Sequence, residues 1–126
     1  MKKRNCLLVL AALCALLVVW ICVDEYRVHE FTLSNFHQDC MEQFPYDAVV
    51  GPVKDAKTAR QKAFELWSKV YGEEMIEEEK PYTVCYDKEN DVWLVCGSKP
   101  IFTLGGVAQI IIRASDGQVL ALWHSK

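Results

Sequence analysis

The feature that most limits what this chain can become is its beginning. Lys2, Lys3 and Arg4 form a basic start, and residues 7–23 then run for 17 positions without a charge, a glycine or a proline. A run of that length is near the lower limit for crossing about 30 Å of hydrocarbon and slightly long for the apolar part of a cleaved signal. Cleavage wants small residues at its site, yet Trp20, Ile21, Cys22 and Val23 close the run with bulk. A lipoprotein signal wants a small residue before its cysteine, and Leu13 and Ile21 precede Cys14 and Cys22. The expectation is an uncleaved transmembrane anchor over residues 1–23, with a cleaved or lipidated signal as the alternative. Basic residues precede the run while Asp24 and Glu25 follow it, so the positive-inside bias places the N-terminus in the cytoplasm and the remainder outside.

The chain has 126 residues, which leaves about a hundred for one folded domain. Its net charge of −3 and the lack of any basic run beyond the N-terminus carry no nucleic-acid signature. Of six cysteines, Cys6, Cys14 and Cys22 fall in or beside the apolar run, leaving Cys40, Cys85 and Cys96 outside it. Three cannot all pair within the chain.

Residues 24–53 read as a membrane-proximal helix and linker: apolar positions alternate with charges up to Phe44, and Pro45, Gly51 and Pro52 mark a loop. Asp55 is a good N-cap for a helix to about Tyr71, because Ala56, Ala59, Ala63, Phe64, Leu66, Trp67 and Val70 recur at helical spacing. Gly72 suits its C-terminus. The acidic run Glu73, Glu74, Glu77, Glu78, Glu79 reads as a solvated connection, or as an acidic patch that meets a basic partner.

After Pro81 the period changes to that of a strand. Two runs, Tyr82 to Tyr86 and Val92 to Cys96, flank a turn expected at Asn90-Asp91, which would face Cys85 with Cys96 and permit a cross-strand disulfide. A turn centred one residue earlier would offset that pair. Gly105-Gly106 lead into a strand over residues 107–113, and Ser115-Asp116-Gly117 form a strong turn before the last strand, residues 119–124. Residues 54–126 are thus expected to be an α+β domain: one helix packed on an antiparallel meander of about four strands, with one sheet face covered and one available.

Catalytic signatures are not found. No paired histidines stand at a metal-ligand spacing, no C-x-x-C or G-x-S-x-G occurs, and Gly105-Gly106 lack the lysine and helix of a phosphate loop. The expectation is a binding module that is not an enzyme and needs no cofactor or metal. Trp93, Trp123 and His124 are candidates for a recognition face, since tryptophans supply much of the energy at interfaces. His124 also reads as an edge residue capping the sheet.

The order from Pro-Tyr-Thr-Val at residues 81–84, through Val-Trp-Leu-Val, Gly105-Gly106 and Asp116-Gly117, to the closing Trp123-His124-Ser125-Lys126 resembles the NTF2-fold immunity proteins of bacterial polymorphic toxin systems. The resemblance covers roughly residues 54–126, and glycine would be more usual where Ser125 stands. The outline is also similar to PepSY-type and other cystatin-like extracytoplasmic domains, which share an Asp-Gly turn between their last strands. The first resemblance implies neutralisation of a toxin domain by direct binding, with Glu74, Glu77 and Glu78 steering the contact and Gly105, Gly106, Asp116 and Gly117 serving structure. The second implies a regulatory or sensory envelope domain acting on a peptidase or signalling partner. A third reading, a small-ligand binder or enzyme, would need a deep pocket joining His124, Trp93 and a carboxylate.

Overall fold

A computed structural model describes residues 9–16, 27–100 and 104–125. Residues 9–16 are helical. Among the described residues no helix is long and apolar enough to cross a membrane. Of the expected span over residues 7–23, residues 7–8 and 17–23 lie outside them, Trp20 included.

The elements in order are strand β1 (Val28–Glu30), helix α1 (Asn35–Gln43), helix α2 (Ala56–Tyr71), helix α3 (Glu73–Glu78) and strands β2 (Thr83–Asp87), β3 (Val92–Cys96), β4 (Ala108–Arg113) and β5 (Val119–His124). The strands form one sheet in the order β1-β2-β3-β4-β5. Strands β2 to β5 make the expected antiparallel meander, while β1 adds a fifth strand parallel to β2, with Val28 opposite Val84. The sheet is therefore mixed. β1 is three exposed residues long, too short for any periodicity to announce it.

Helix α2 forms where its sequence says it should. The Asp55 carboxylate accepts from the Thr58 amide at 2.7 Å, and Gly72, at φ 95°, closes the helix by donating to the Ser68 carbonyl. Its buried residues are Ala56, Ala59, Ala63, Leu66 and Trp67. The three alanines on that stripe let the helix approach the sheet closely. They pack with Trp67 onto Val84, Trp93, Val95, Ile110, Ile112 and Leu122. Each fully buried large apolar side chain in this layer contributes about 1.5–3 kcal/mol.

The opposite face of the sheet, expected to be available, is covered. Leu94, Ile111, Ala121 and Trp123 bury against Cys40 of α1, with Phe31, Leu33 and Met41 around them, and Phe44 stacks on Trp123 at 6.3 Å. With strands buried on both sides, the runs Val92–Cys96 and Ile110–Ile112 are apolar throughout instead of alternating.

Asp87 joins the two layers. Its carboxylate is 1% exposed and accepts from the amides of Leu33, Glu89 and Asn90 and from the Asn90 side-chain amide, at 2.8–3.1 Å. These bonds shape the β2–β3 turn over residues 88–91 and tie the chain after β1 to it. The turn is consequently centred one residue earlier than Asn90-Asp91. Cys85 then faces Leu94 and Cys96 faces Thr83, so the two cysteines are not opposite and both are free thiols. Burial pushes the Cys96 thiol up to about 12, with Cys85 nearby adding to the effect.

The outer margin of β5 is lined by residues 44–50. Val119 donates to the Ala48 carbonyl, Leu122 to Phe44, and Val50 to Gly117, while Val49 bridges to Gln118. Gly117, at φ 76°, makes this approach possible, because a Cβ there would fall 1.9 Å from the Gly51 oxygen.

Candidate functional site

The acidic run is not a loose connection. Residues 73–78 form helix α3, and Ile76 is fully buried in the core beneath it. Tyr82 donates its hydroxyl proton to the Ile76 carbonyl at 2.8 Å, and its ring meets Trp67 edge-on at 5.2 Å. One turn is thus pinned by a single apolar plug, while Glu73, Glu74, Glu77 and Glu78 stand exposed around it. Those four carboxylates make a negative ridge beside α2.

Glu79, at the end of the same run, behaves differently. It lies three residues after Ile76, which turns it to the same inward side, and it is 4% exposed. One carboxylate oxygen accepts from the Ala108 amide at 2.7 Å, and the other meets His124 Nε2 at 3.2 Å. The Glu79 carbonyl accepts from the Ser98 amide at 2.7 Å. Gly97 is small for a reason, since a Cβ there would stand 2.6 Å from the Glu79 carboxylate.

His124 lies between three elements. Its Nδ1 is 2.9 Å from the Ser125 carbonyl oxygen, its Nε2 faces Glu79, and its ring meets Tyr71 of α2 edge-on at 5.5 Å. Its two ring nitrogens thus face two oxygen atoms, one from a carbonyl and one from a carboxylate. Desolvation raises the Tyr71 phenol above its ordinary range, and the charge of Glu79 adds to the rise.

The glycine pair completes this node. A Cβ on Gly106 would stand 1.6 Å from the Ser125 oxygen, so a side chain cannot fit where the end of the chain crosses. Val107 donates to Ser125 Oγ at 2.9 Å, and Ser125 donates its amide proton to the Val107 carbonyl at 2.9 Å. The residues that gave the sequence its family likeness, Gly106 and His124-Ser125, therefore meet at one end of the sheet. There His124 meets Glu79, the residue that closes the acidic helix. Gly105, at φ 101°, is exposed beside them. Asp116 holds the β4–β5 turn by a two-pronged contact with Arg113 at 2.6 and 2.9 Å, and that guanidinium draws its carboxyl down to about 2.

The tryptophans are not brought to a shared exposed face. Trp93 is buried on the α2 side, where its Nε1 donates to the Val53 carbonyl at 2.9 Å and its ring packs on Tyr86. Trp123 is buried on the α1 side under Phe44. Each strand's alternation separates them, and Trp123 also points away from its neighbour His124. Trp93 lines a depression of about 410 Å³ with Lys54, Tyr86 and Asp91, apart from the His124–Glu79 contact.

Sequence reasoning missed Glu79 because it is one of five glutamates in seven residues. The signal that could have found it is its spacing from Ile76, the acidic run's β-branched apolar residue. A second feature was also missed: a groove of about 440 Å³ where Lys57, Arg60 and Phe64 of α2 face Lys80, Pro81 and Tyr82.

A family model described as an NTF2 fold immunity protein matches residues 58–126. The uncharacterized protein YbbC of Escherichia coli (strain K12) is 46% identical over 57 residues, a stretch that covers 44% of this chain and 45% of that protein. The chain thus aligns with less than half the length of that relative. No solved structure matches.

Proposed function

This chain belongs to the NTF2-fold immunity protein family, and from that premise we propose that it neutralises a toxin domain by direct binding, held at the membrane by residues 7–23 with its folded part outside the cytoplasm. The observation that carries the reading, beyond the family, is the acidic ridge. Four exposed carboxylates on one short helix would be flexible and weakly directing if α3 were a loop. Ile76 and the Glu79–His124 node fix them to the sheet instead. A fixed patch of one sign steers a basic partner into register and raises its rate of encounter.

Nothing in such a mechanism asks the inhibitor for chemistry. The Glu79–His124 pair resembles half of a general-base arrangement, but both of its members are committed to holding α3, Ala108 and the C-terminal strand together. The membrane segment would place the ridge where an incoming toxin is met before it acts.

The test is co-expression of the full chain with toxin domains encoded beside it, followed by binding measurements on the purified pair. Rescue of growth, a stable complex, and an association rate that falls about tenfold in Glu74→Lys/Glu78→Lys or in raised salt are expected. Absence of rescue and of a complex with every such domain would sink the immunity reading. Rescue and a complex that ignore both charge reversal and salt would move the contact away from α3.

A further inference from the structure

The groove beside α2 and the ridge of α3 are opposites in the same pattern. The groove sets an apolar floor of Phe64, Pro81 and Tyr82 among Lys57, Arg60 and Lys80, and among the described residues no carboxylate lines it. The ridge sets an apolar tip, Met75 at 42% exposure, among Glu73, Glu74, Glu77 and Glu78. Within one molecule the two adjoin at the Glu77–Lys80 ion pair of 2.9 Å, and Lys80 Nζ sits 5.1 Å from the Phe64 ring centre. A ridge cannot fold back into the groove it borders, because Ile76 and Tyr82 pin it to the core.

We infer that the groove is a self-association site, and that it receives the α3 ridge of a second copy of this chain. A surface that carries a feature and its complement side by side is self-complementary under a twofold rotation, so one dimer makes the contact twice. Met75 of each copy reaches the floor of Phe64, Pro81 and Tyr82. Glu73 and Glu74 face the exposed Lys57. The elements involved are short, which puts the interface in the small, weak class and makes it sensitive to salt. Anchoring on one membrane would raise the local concentration of copies and favour such a weak contact. The inference does not rest on the toxin reading, and a second copy and a toxin would compete for the same ridge.

The experiment uses an equal mixture of unlabelled and heavy-isotope-labelled full chain in detergent, treated with a carbodiimide that joins touching amines and carboxylates, and read by mass spectrometry. Mixed-isotope peptides linking Lys57 to Glu73, Glu74 or Glu78 are expected at low salt and absent at high salt. Glu74→Lys, at an exposed position, should lower the yield of the Lys57 links to Glu73 and Glu78 about tenfold; Lys57→Glu, which lacks the coupling amine, is the blank on its own, and mixing it with Glu74→Lys should restore the mixed-isotope links. Links within one isotope only, or mixed links that bypass the groove, would overturn the assignment. An unrelated acidic peptide that couples to Lys57 where a second copy does not would give the groove to a foreign segment and overturn it equally.

Discussion

At the scale of single residues, the structure turns on two buried carboxylates that sit among many exposed ones. Glu79 satisfies the Ala108 amide and faces His124, and both contacts lie where water is scarce. Removing the carboxylate leaves a buried donor unpaired and frees the histidine that joins α2, α3 and β5. Glu79→Ala is therefore expected to destabilise the fold by about 3–4 kcal/mol, measured as a fall in the urea midpoint. Glu78→Ala, one residue earlier and exposed, should change it by less than about 0.5 kcal/mol. Equal effects at the two positions would remove the special role given to Glu79.

At the scale of elements, Asp87 decides how β1, β2 and β3 are joined. The Asn90 side chain holds its carboxyl below the usual range, helped by the amides of Leu33, Asn90 and Glu89. A carboxyl depressed in the folded state contributes stability above its unfolded pKa of about 4, and that contribution is lost as pH falls through the lower folded value. Stability should hold level above about pH 5 and decline below pH 4, and Asp87→Asn should flatten part of that decline in urea titrations at successive pH values. The same residue explains what sequence could and could not deliver. Helix α2, the four-strand meander and the Asp116-Gly117 turn were legible because each rests on local spacing or turn chemistry. Strand β1 was not, since its pairing is set 56 residues away, as Val28 opposite Val84 shows, and its three residues carry no pattern. Of the two β2–β3 registers that the sequence left open, Asp87 decides for the earlier one, because at the end of a strand it captures the turn before Asn90-Asp91 can centre it. Helix α3 was hidden by its charge. The candidate recognition face of Trp93 and Trp123 failed for a related reason: both sheet faces are apolar, so composition could not tell which tryptophan points where.

At the scale of the whole molecule, the family match begins at residue 58, yet the layer that covers half the sheet comes from before it. Leu94, Ile111, Ala121 and Trp123 have α1 and Phe44 as their cover. A chain lacking residues 1–44 should expose that face, bind a hydrophobic dye such as anilinonaphthalene sulfonate, and lose cooperative unfolding, whereas one lacking residues 1–26 should keep both layers and unfold in one step. A cooperative, dye-silent product of the longer truncation would show that α1 is dispensable to the core.

The strap along β5 bears on a hazard that the proposed anchoring would create. Copies held on a two-dimensional surface would meet often, and an open sheet margin there would invite chain-to-chain growth into fibrils. Residues 44–50 occupy one margin with their own amides and carbonyls, and the other margin, β1, offers an incoming strand only three residues. Neighbours on such a surface can touch through side chains and separate again, but they find almost no backbone ladder to extend.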